Sequence, residues 1–387
     1  MKFNINFVDG AFCEILSNVD NKYNVKFIDN GTNFPNQIPL VDEFNKYYVQ
    51  FIDKDTDKVI YDDVIKSNMW CKSSYTYFIN YKIKIIDFKS KLTIEEIDYN
   101  ANDKRVYIWF DSKSLGDNLG WIPYVEEFRK KHNCILYCST FFNYLFKEIY
   151  PDINFVEPGT SVENLYASYP IGCFDNPHNN KVKWKVLNNQ EICSNILGLK
   201  FEELKPPLKV QNKERKTVKK YVCISTKSTA FCKEWQYKNG WKEIVLYLNS
   251  KGYKVIVLQK ESVDLINDTD LDIELCDSVD LNEPINLLYN CEFFIGLSSG
   301  MSWLTWCLNK PCILVSGMSK ETTEFFTPFR VINKNVCHGC WSDDRYEFDR
   351  TDWWWCPKLK NTDREYECSK SITPKMIIDN IEKILYY

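Results

Sequence analysis

Four cysteines near the end of the chain, in "NVCHGCWSDDRYEFDRTDWWWCPKLKNTDREYECSKS", follow the spacing C-x2-C-x15-C-x11-C at Cys337, Cys340, Cys356 and Cys368. Four thiolates within one short segment suit tetrahedral ligation of a metal ion, as in zinc ribbons and rubredoxin-like iron sites. The segment is polar and aromatic with little periodicity, so it reads as a finger held by metal rather than a packed core. Disulfides and free thiols are the alternatives, and spacing does not separate zinc from iron. His338, between the first two cysteines, reads as a bystander. The opening "MKFNINFVDGAF" shows no basic cluster followed by an apolar leader, and no apolar run is long enough to span a membrane. The expectation is therefore a cytoplasmic location, where thiols stay reduced unless bound to metal. Cys13, Cys134, Cys138, Cys223, Cys291, Cys307 and Cys312 lie inside apolar runs and read as small core residues.

Three further segments carry groups suited to chemistry. In "SLGDNLGW" Asp117 falls in a loop after a strand, where a carboxylate can take a proton from a hydroxyl. Asp111 is a nearby competitor, and helix capping by Asp117 or Asn118 is the plainer reading. In "ISTKSTAFCKEW", Ser225, Thr226, Lys227 and Lys233 leave another strand; hydroxyls and an ammonium suit a pyrophosphate. Neither a Walker loop nor the Rossmann glycine fingerprint is present, and an ordinary solvated loop remains open. In "GLSSGMSW" the backbone N–H groups of Ser299, Gly300 and Met301 open a helix and suit an anion, with a Ser-capped βα turn as the alternative.

These segments need elements to position them. The chain has 387 residues, 44% hydrophobic and 16% aromatic, with a formal charge of −4. That supports two or three packed domains and gives no footing to a nucleic-acid or membrane-surface role. Residues 1–95 alternate aromatic and β-branched residues with period two ("YNVKFIDN", "KYYVQFID", "YTYFINYKIKIIDF"), with turns at "DNGTN" and "DKDTD"; this predicts an all-β module. Residues 96–205 alternate strands ("RVYIWF", "CILYCS", "INFVEPG") with helices ("LGWIPYVEEFRKKH", "TFFNYLFKEIY"), which predicts a parallel sheet. Residues 206–218 read as a linker. Residues 219–335 repeat the alternation: "KYVCIST", "GWKEIVLYLNSKG", "YKVIVLQ", a helix near 283–289, "CEFFIGL", "GMSWLTWCLN" and "PCILVSG". The finger occupies 336–371, and 372–387 begins with a Thr-Pro helix start. The expected fold is α/β, two Rossmann-like lobes of the GT-B type common to nucleotide-sugar glycosyltransferases, with the ligand cleft at the carboxyl ends of the strands.

Together the segments resemble the bacterial autotransporter O-heptosyltransferases, whose acceptors are strand-loop-strand repeats. The likeness covers nearly the whole chain, through "FVDGAFCEI", "DSKSLGDNLGWIPYVEEF", "ASYPIGCFDN", "CISTKSTAFCKEW", "GLSSGMSWLTWCLNKP" and "TPFRVINKNVCHGCW…WWWCP…ECSKSITP". It implies an inverting transfer of heptose from ADP-heptose to serine hydroxyls of an autotransporter passenger. By motif position it implies Asp117 as the catalytic base and Lys233 as the donor-phosphate lysine beside Ser225 and Thr226. The turn Ser298, Ser299, Gly300, Met301 and Ser302 corresponds to a second phosphate-binding loop. Lipopolysaccharide heptosyltransferases carry an aspartate where this chain has Ser298. The four cysteines correspond to a structural iron finger, and members resemble one another in forming ring-shaped homo-oligomers, a dodecamer by this likeness. The competing expectations are a different nucleotide sugar, a lipid or glycan acceptor, and a non-catalytic partner-binding module.

Overall fold

The structure is a computed structural model that describes residues 1–16, 45–215, 217–259 and 264–386; the expected strand "YNVKFIDN" and turn "DNGTN" lie outside them. The N-terminal module is all-β and antiparallel. One sheet pairs Lys2–Asn6, Phe12–Leu16 and Met69–Lys72, and a second orders Lys58–Lys66, Lys46–Asp53, Tyr81–Asp87 and Thr93–Asp98. Period-two patterning sets their faces: Tyr47, Val49 and Phe51 are buried against the module's interior, as are Tyr81, Ile83 and Ile85 on the neighbouring strand.

Two parallel sheets follow, as strand–helix alternation requires. The smaller orders Asn154–Phe155, Ile135–Ser139, Arg105–Phe110 and Ala167–Ile171. The larger orders Ile273–Cys276, Lys254–Leu258, Tyr221–Ile224, Phe294–Leu297, Cys312–Val315 and Arg330–Val331. Numbered along the chain, that is the doubly wound order 3-2-1-4-5-6. The chain thus has the expected α/β two-lobed architecture with an N-terminal β module. The terminal helix Pro374–Leu385, with Pro374 in its first turn, packs on the larger lobe beside the helix Gly240–Ser250.

The smaller lobe departs most from expectation. "TFFNYLFKEIY" is helical only over Asn143–Phe146, and the strand in "INFVEPG" is two residues long. The fully buried strand Ala167–Ile171 and the helix Asn189–Ile196 were not anticipated. Asp117 does not lie in a loop: the helix begins at Leu115 and runs to His132, so Asp117 sits in its first turn. Ser114 takes the extended N-cap conformation without a side-chain capping bond. Asn118 instead turns back, its Nδ2 donating to the Ser112 and Ser114 carbonyls at 2.8 and 2.7 Å. That clamp draws residues 111–114 tight against the first turn and moves the helix start forward.

The far end of this helix meets the β module. His132 packs among Phe128, Phe78 and Tyr99, with ring centroids 4.3, 5.2 and 5.7 Å away. Burial, reinforced by Lys131, lowers its pKa from 6.5 to about 4. A depressed folded pKa means that His132 contributes stability fully above the unfolded value and loses it as pH falls through the folded one. The chain should therefore lose stability between about pH 6.5 and pH 4. In denaturant titrations across that window, His132→Phe should flatten this part of the slope; an unchanged slope would contradict the assignment.

Candidate active site

Both sheets direct their carboxyl ends at one cleft of about 1020 Å³ between the lobes. In each, the winding direction reverses beside a strand whose following loop enters the cleft, the position where doubly wound sheets take ligands. In the larger sheet the reversal lies between Tyr221–Ile224 and Phe294–Leu297; in the smaller, between Arg105–Phe110 and Ala167–Ile171. Asp117, Ser225, Lys233, Ser299, Gly300 and Met301 all line the cleft.

The lobes meet through glycines. A Cβ on Gly116 would come within 2.7 Å of the Trp303 ring, and one on Gly120 within 3.4 Å of the ring and 2.9 Å of Asn189 Nδ2. In return, a Cβ on Gly300 would lie 2.8 Å from Leu115. The helix Leu115–His132 thus presents a groove to Trp303 of the helix Gly300–Cys307, while Gly300 makes room for Leu115. This contact brings the first turns of the two helices, and their functional groups, side by side at one cleft.

Asp117 is enclosed by protein while keeping an opening to the cleft. Desolvation raises its carboxyl above the ordinary range, and three groups partly offset this. In order they are a 2.5 Å hydrogen bond from Ser112 Oγ, the charge of Lys233, and the Asn189 amide. Asn189 Nδ2 is buried without a hydrogen bond of normal geometry, consistent with its place as the weakest of the three. Such a carboxylate is a stronger base than one in water and remains close to a cation. Asp111 also lines the cleft but is exposed and lacks this enclosure.

The two loops of the larger lobe divide their polar groups unequally. Lys227 pairs with Glu234 at 3.2 Å, whereas Lys233 forms no ion pair among the described residues and lies 5.3 Å from the centre of the Trp341 ring. Thr226 is buried, with its N–H and hydroxyl both donating to Gln259 Oε1, at 3.1 and 2.8 Å. Ser302 is likewise buried and donates to the Leu297 carbonyl at 2.5 Å. Thr226 and Ser302 therefore shape their loops and do not line the cleft. Ser299, the N-cap of the second helix, buries a hydroxyl with no hydrogen-bond partner among the described residues. An unspent donor beside three helix N-terminal N–H groups suits an anionic ligand. Ser298 donates to Glu324, whose other oxygen takes Arg330 at 2.7 Å in a pair that is 6% exposed on each side.

Three of the four expected metal cysteines, Cys337, Cys340 and Cys356, share a small apolar cluster with Trp355 and Tyr366, and Cys368 lies beside it. Cys337 bonds the Cys340 thiol, and Cys368 lies close enough to Cys340, Cys356 and Cys337 for all three to influence it. Burial first, and then these neighbours, push the Cys340 and Cys368 thiols up to about 12. Among the described residues no group of three or more His, Cys, Asp or Glu side chains stands at metal-ligating separation. The four thiols fit a tetrahedral thiolate centre in kind and number. Among the described residues, no helix is long and apolar enough to cross a membrane.

Residues 174–351 match the model of glycosyltransferase family 9 (heptosyltransferase). Over 371 residues the chain is 35% identical to the autotransporter heptosyltransferase Aah of Escherichia coli, covering 93% of this chain and 94% of that one. The chain belongs to the autotransporter heptosyltransferase family. Its structure matches that of the iron-containing dodecameric glycosyltransferase TibC of enterotoxigenic E. coli with a TM-score of 0.85 and 30% identity, covering 100% of this chain and 96% of TibC. The family also includes an inactive autotransporter heptosyltransferase, BimC of Burkholderia thailandensis, 30% identical over 86% of this chain and 80% of its own.

In this family member several cleft residues escaped the sequence reading: Ser112, Asn189, Gln259, Glu324 and Trp341. One had a readable signal. Asn188-x-x-Glu191 forms a capping box, which announces the helix that presents Asn189. The rest reach the site through tertiary packing. The glycine groove yields a direct test: Gly116→Ala should overpack the interface and destabilise the protein by about 1–3 kcal/mol in chemical denaturation. Full stability in that variant would show that the Trp303 contact is looser than described.

Proposed function

We propose that the chain is an inverting protein O-heptosyltransferase, moving heptose from ADP-heptose to serine hydroxyls of autotransporter passenger repeats. One observation carries this reading. An enclosed carboxylate with raised proton affinity and a lysine that forms no ion pair among the described residues both line the cleft that a doubly wound sheet uses for nucleotides. Family membership alone does not decide activity, because the family includes a relative named inactive; the polar groups of this cleft do favour it.

The steps follow from the residues. Asp117 accepts the proton of the serine hydroxyl as its oxygen attacks the anomeric carbon. The new C–O bond forms as the bond to the diphosphate breaks, and ADP leaves with the electron pair. Lys233, the Ser299 hydroxyl and the N–H groups at 299–301 take up the charge growing on the leaving diphosphate. Ser225 borders the same anion, while Thr226, Ser298 and Ser302 hold the loops in shape. Inversion is the stereochemical outcome of such a single displacement, with the hydroxyl attacking the face opposite the departing diphosphate.

Cys337, Cys340, Cys356 and Cys368 would hold iron, with zinc as the alternative metal, and the ion would supply a cross-link that fixes the finger. The TibC structures are described as iron-containing and dodecameric, one in complex with ADP-D-beta-D-heptose, which supports the same donor, metal and ring-shaped dodecamer here. A cytoplasmic location suits a chain whose cysteines form no disulfide among the described residues.

The deciding experiment is intact-mass analysis of an autotransporter passenger co-expressed with this chain in cells that make ADP-heptose. Increments of one heptose per modified serine are expected, and their absence with a folded, metal-loaded protein would sink the reading. Asp117→Asn should lower transfer by a factor of about 10²–10⁴, as loss of a general base does. Because its raised folded pKa makes ionised Asp117 a stability cost that grows as pH rises through that value, the Asn variant should melt no lower than the parent at pH 7. Transfer by the parent should fall as acid protonates Asp117, beginning at a higher pH than for a free carboxylate.

Replacing Cys356 by Ser should remove most bound metal, measured by elemental analysis, and lower the melting temperature. Unchanged metal content after all four cysteines are replaced would overturn the finger assignment.

A further inference from the structure

We infer that Trp341 is a positioning residue that holds Lys233 ready for the donor diphosphate, which makes the cysteine finger a working part of the donor site. The inference rests on the assignment of Lys233 to the diphosphate made above.

Lys233 ends a short 3₁₀ turn, Phe231–Lys233, that is fastened to the finger at each residue. The Phe231 ring lies 3.8 Å from that of Trp354. The Cys232 N–H donates to the Trp353 carbonyl at 3.2 Å, and Cys232 is buried in the finger's own apolar cluster. Lys233 then extends toward the Trp341 ring, its Nζ 5.3 Å from the centroid. Trp341 directly follows Cys340 and is itself fixed on several sides. Its N–H donates to the Met318 carbonyl at 2.9 Å, and its ring contacts Phe348 at 4.6 Å and, from the other lobe, Trp184 at 5.3 Å.

The choice of an aromatic ring has a chemical consequence. A carboxylate partner would neutralise Lys233 and compete with an incoming diphosphate, as Glu234 does for Lys227. A ring face attracts the ammonium without cancelling its charge, so the cation is held in place yet remains available. Because the ring is wedged between the finger and Trp184 of the smaller lobe, it also fixes Lys233 relative to Asp117.

The test measures ADP affinity by calorimetry, donor kinetics and metal content for Trp341→Leu, Trp341→Phe, Lys233→Met and the Leu/Met double variant. Trp341→Leu should weaken ADP binding roughly fivefold, equivalent to about 1 kcal/mol, and raise the donor KM more than it lowers kcat. Trp341→Phe should recover most of that loss. The double variant should bind ADP no more weakly than Lys233→Met alone, a non-additivity that general loosening of the fold would not produce.

Additive losses, or unchanged ADP affinity in Trp341→Leu, would overturn the positioning role while leaving the diphosphate assignment intact. Unchanged affinity in Lys233→Met would overturn the assignment itself. Should Trp341→Leu not fold, site-specific fluorinated tryptophans at 341 keep the shape while weakening the ring face. ADP affinity should then fall with each added fluorine, and no trend would refute the inference.

Discussion

Trp303 lying over Gly116 and Gly120 is the contact on which the cleft depends. Catalytic geometry tolerates errors of well under an ångström, yet here the proposed base, Asp117, and the proposed anion-binding turn come from different lobes. Lobes joined by a polar interface move relative to one another by default. A buried indole in a groove that only glycine can leave open, answered by Leu115 over Gly300, sets that relationship by shape. The contact also lies within one helical turn of Asp117 and of Ser299, so little lever arm separates it from the chemistry.

Charge placement completes what shape begins. A cleft built for a diphosphate has to keep its cations available and its carboxylates quiet. Glu324 would be costly as a lone buried anion; Arg330 and the Ser298 hydroxyl satisfy it, so it borders the cleft without standing as a bare charge. Lys227 is spent on Glu234, while Lys233 keeps its charge against a neutral ring. At Ser298 the cleft presents a hydroxyl whose proton is given to Glu324. That leaves its oxygen lone pairs as the group it can offer a ligand.

Most of the larger lobe was legible in the sequence because its main elements are long or strongly apolar and bounded by turn residues; the short strands Ile273–Cys276 and Arg330–Val331 were not anticipated. "GWKEIVLYLNSKG" and "CEFFIGL" each fall close to the expected position. The smaller lobe was harder for physical reasons. "TFFNYLFKEIY" has helical spacing, yet only one turn forms because Thr140 and Phe142 are drawn into hydrogen bonds around the Asn143 and Thr140 side chains. "ASYPI" is a fully buried strand disguised by a proline and a serine, and it is recruited by pairing with Arg105–Phe110. Asp117, Lys233 and the Ser299 turn stood out by residue type and position after strands, and all of them line the cleft. Glu324, Asn189 and Trp341 did not stand out, since each enters the cleft by packing between segments far apart in sequence. Thr226 and Ser302 show the converse error: a polar residue next to a binding loop can be occupied in holding that loop.

The smaller lobe explains the presence of the β module. A four-stranded sheet with a two-residue edge strand and one long helix buries too little on its own to hold that helix rigidly. It is supported on three sides instead. Trp303 braces the amino end of the helix, and the finger reaches in through Lys185 to Tyr346 and through Arg350 to Cys173. The β module braces the carboxyl end, where Phe78 packs on Phe128 and His132, and the Phe7 strand joins the sheet edge at Ala167. The same rigid rod that ends among those rings begins at Leu115 and carries Asp117 in its first turn. Aromatic packing in the module therefore bears on where the carboxylate stands, although none of the module's described residues lines the cleft.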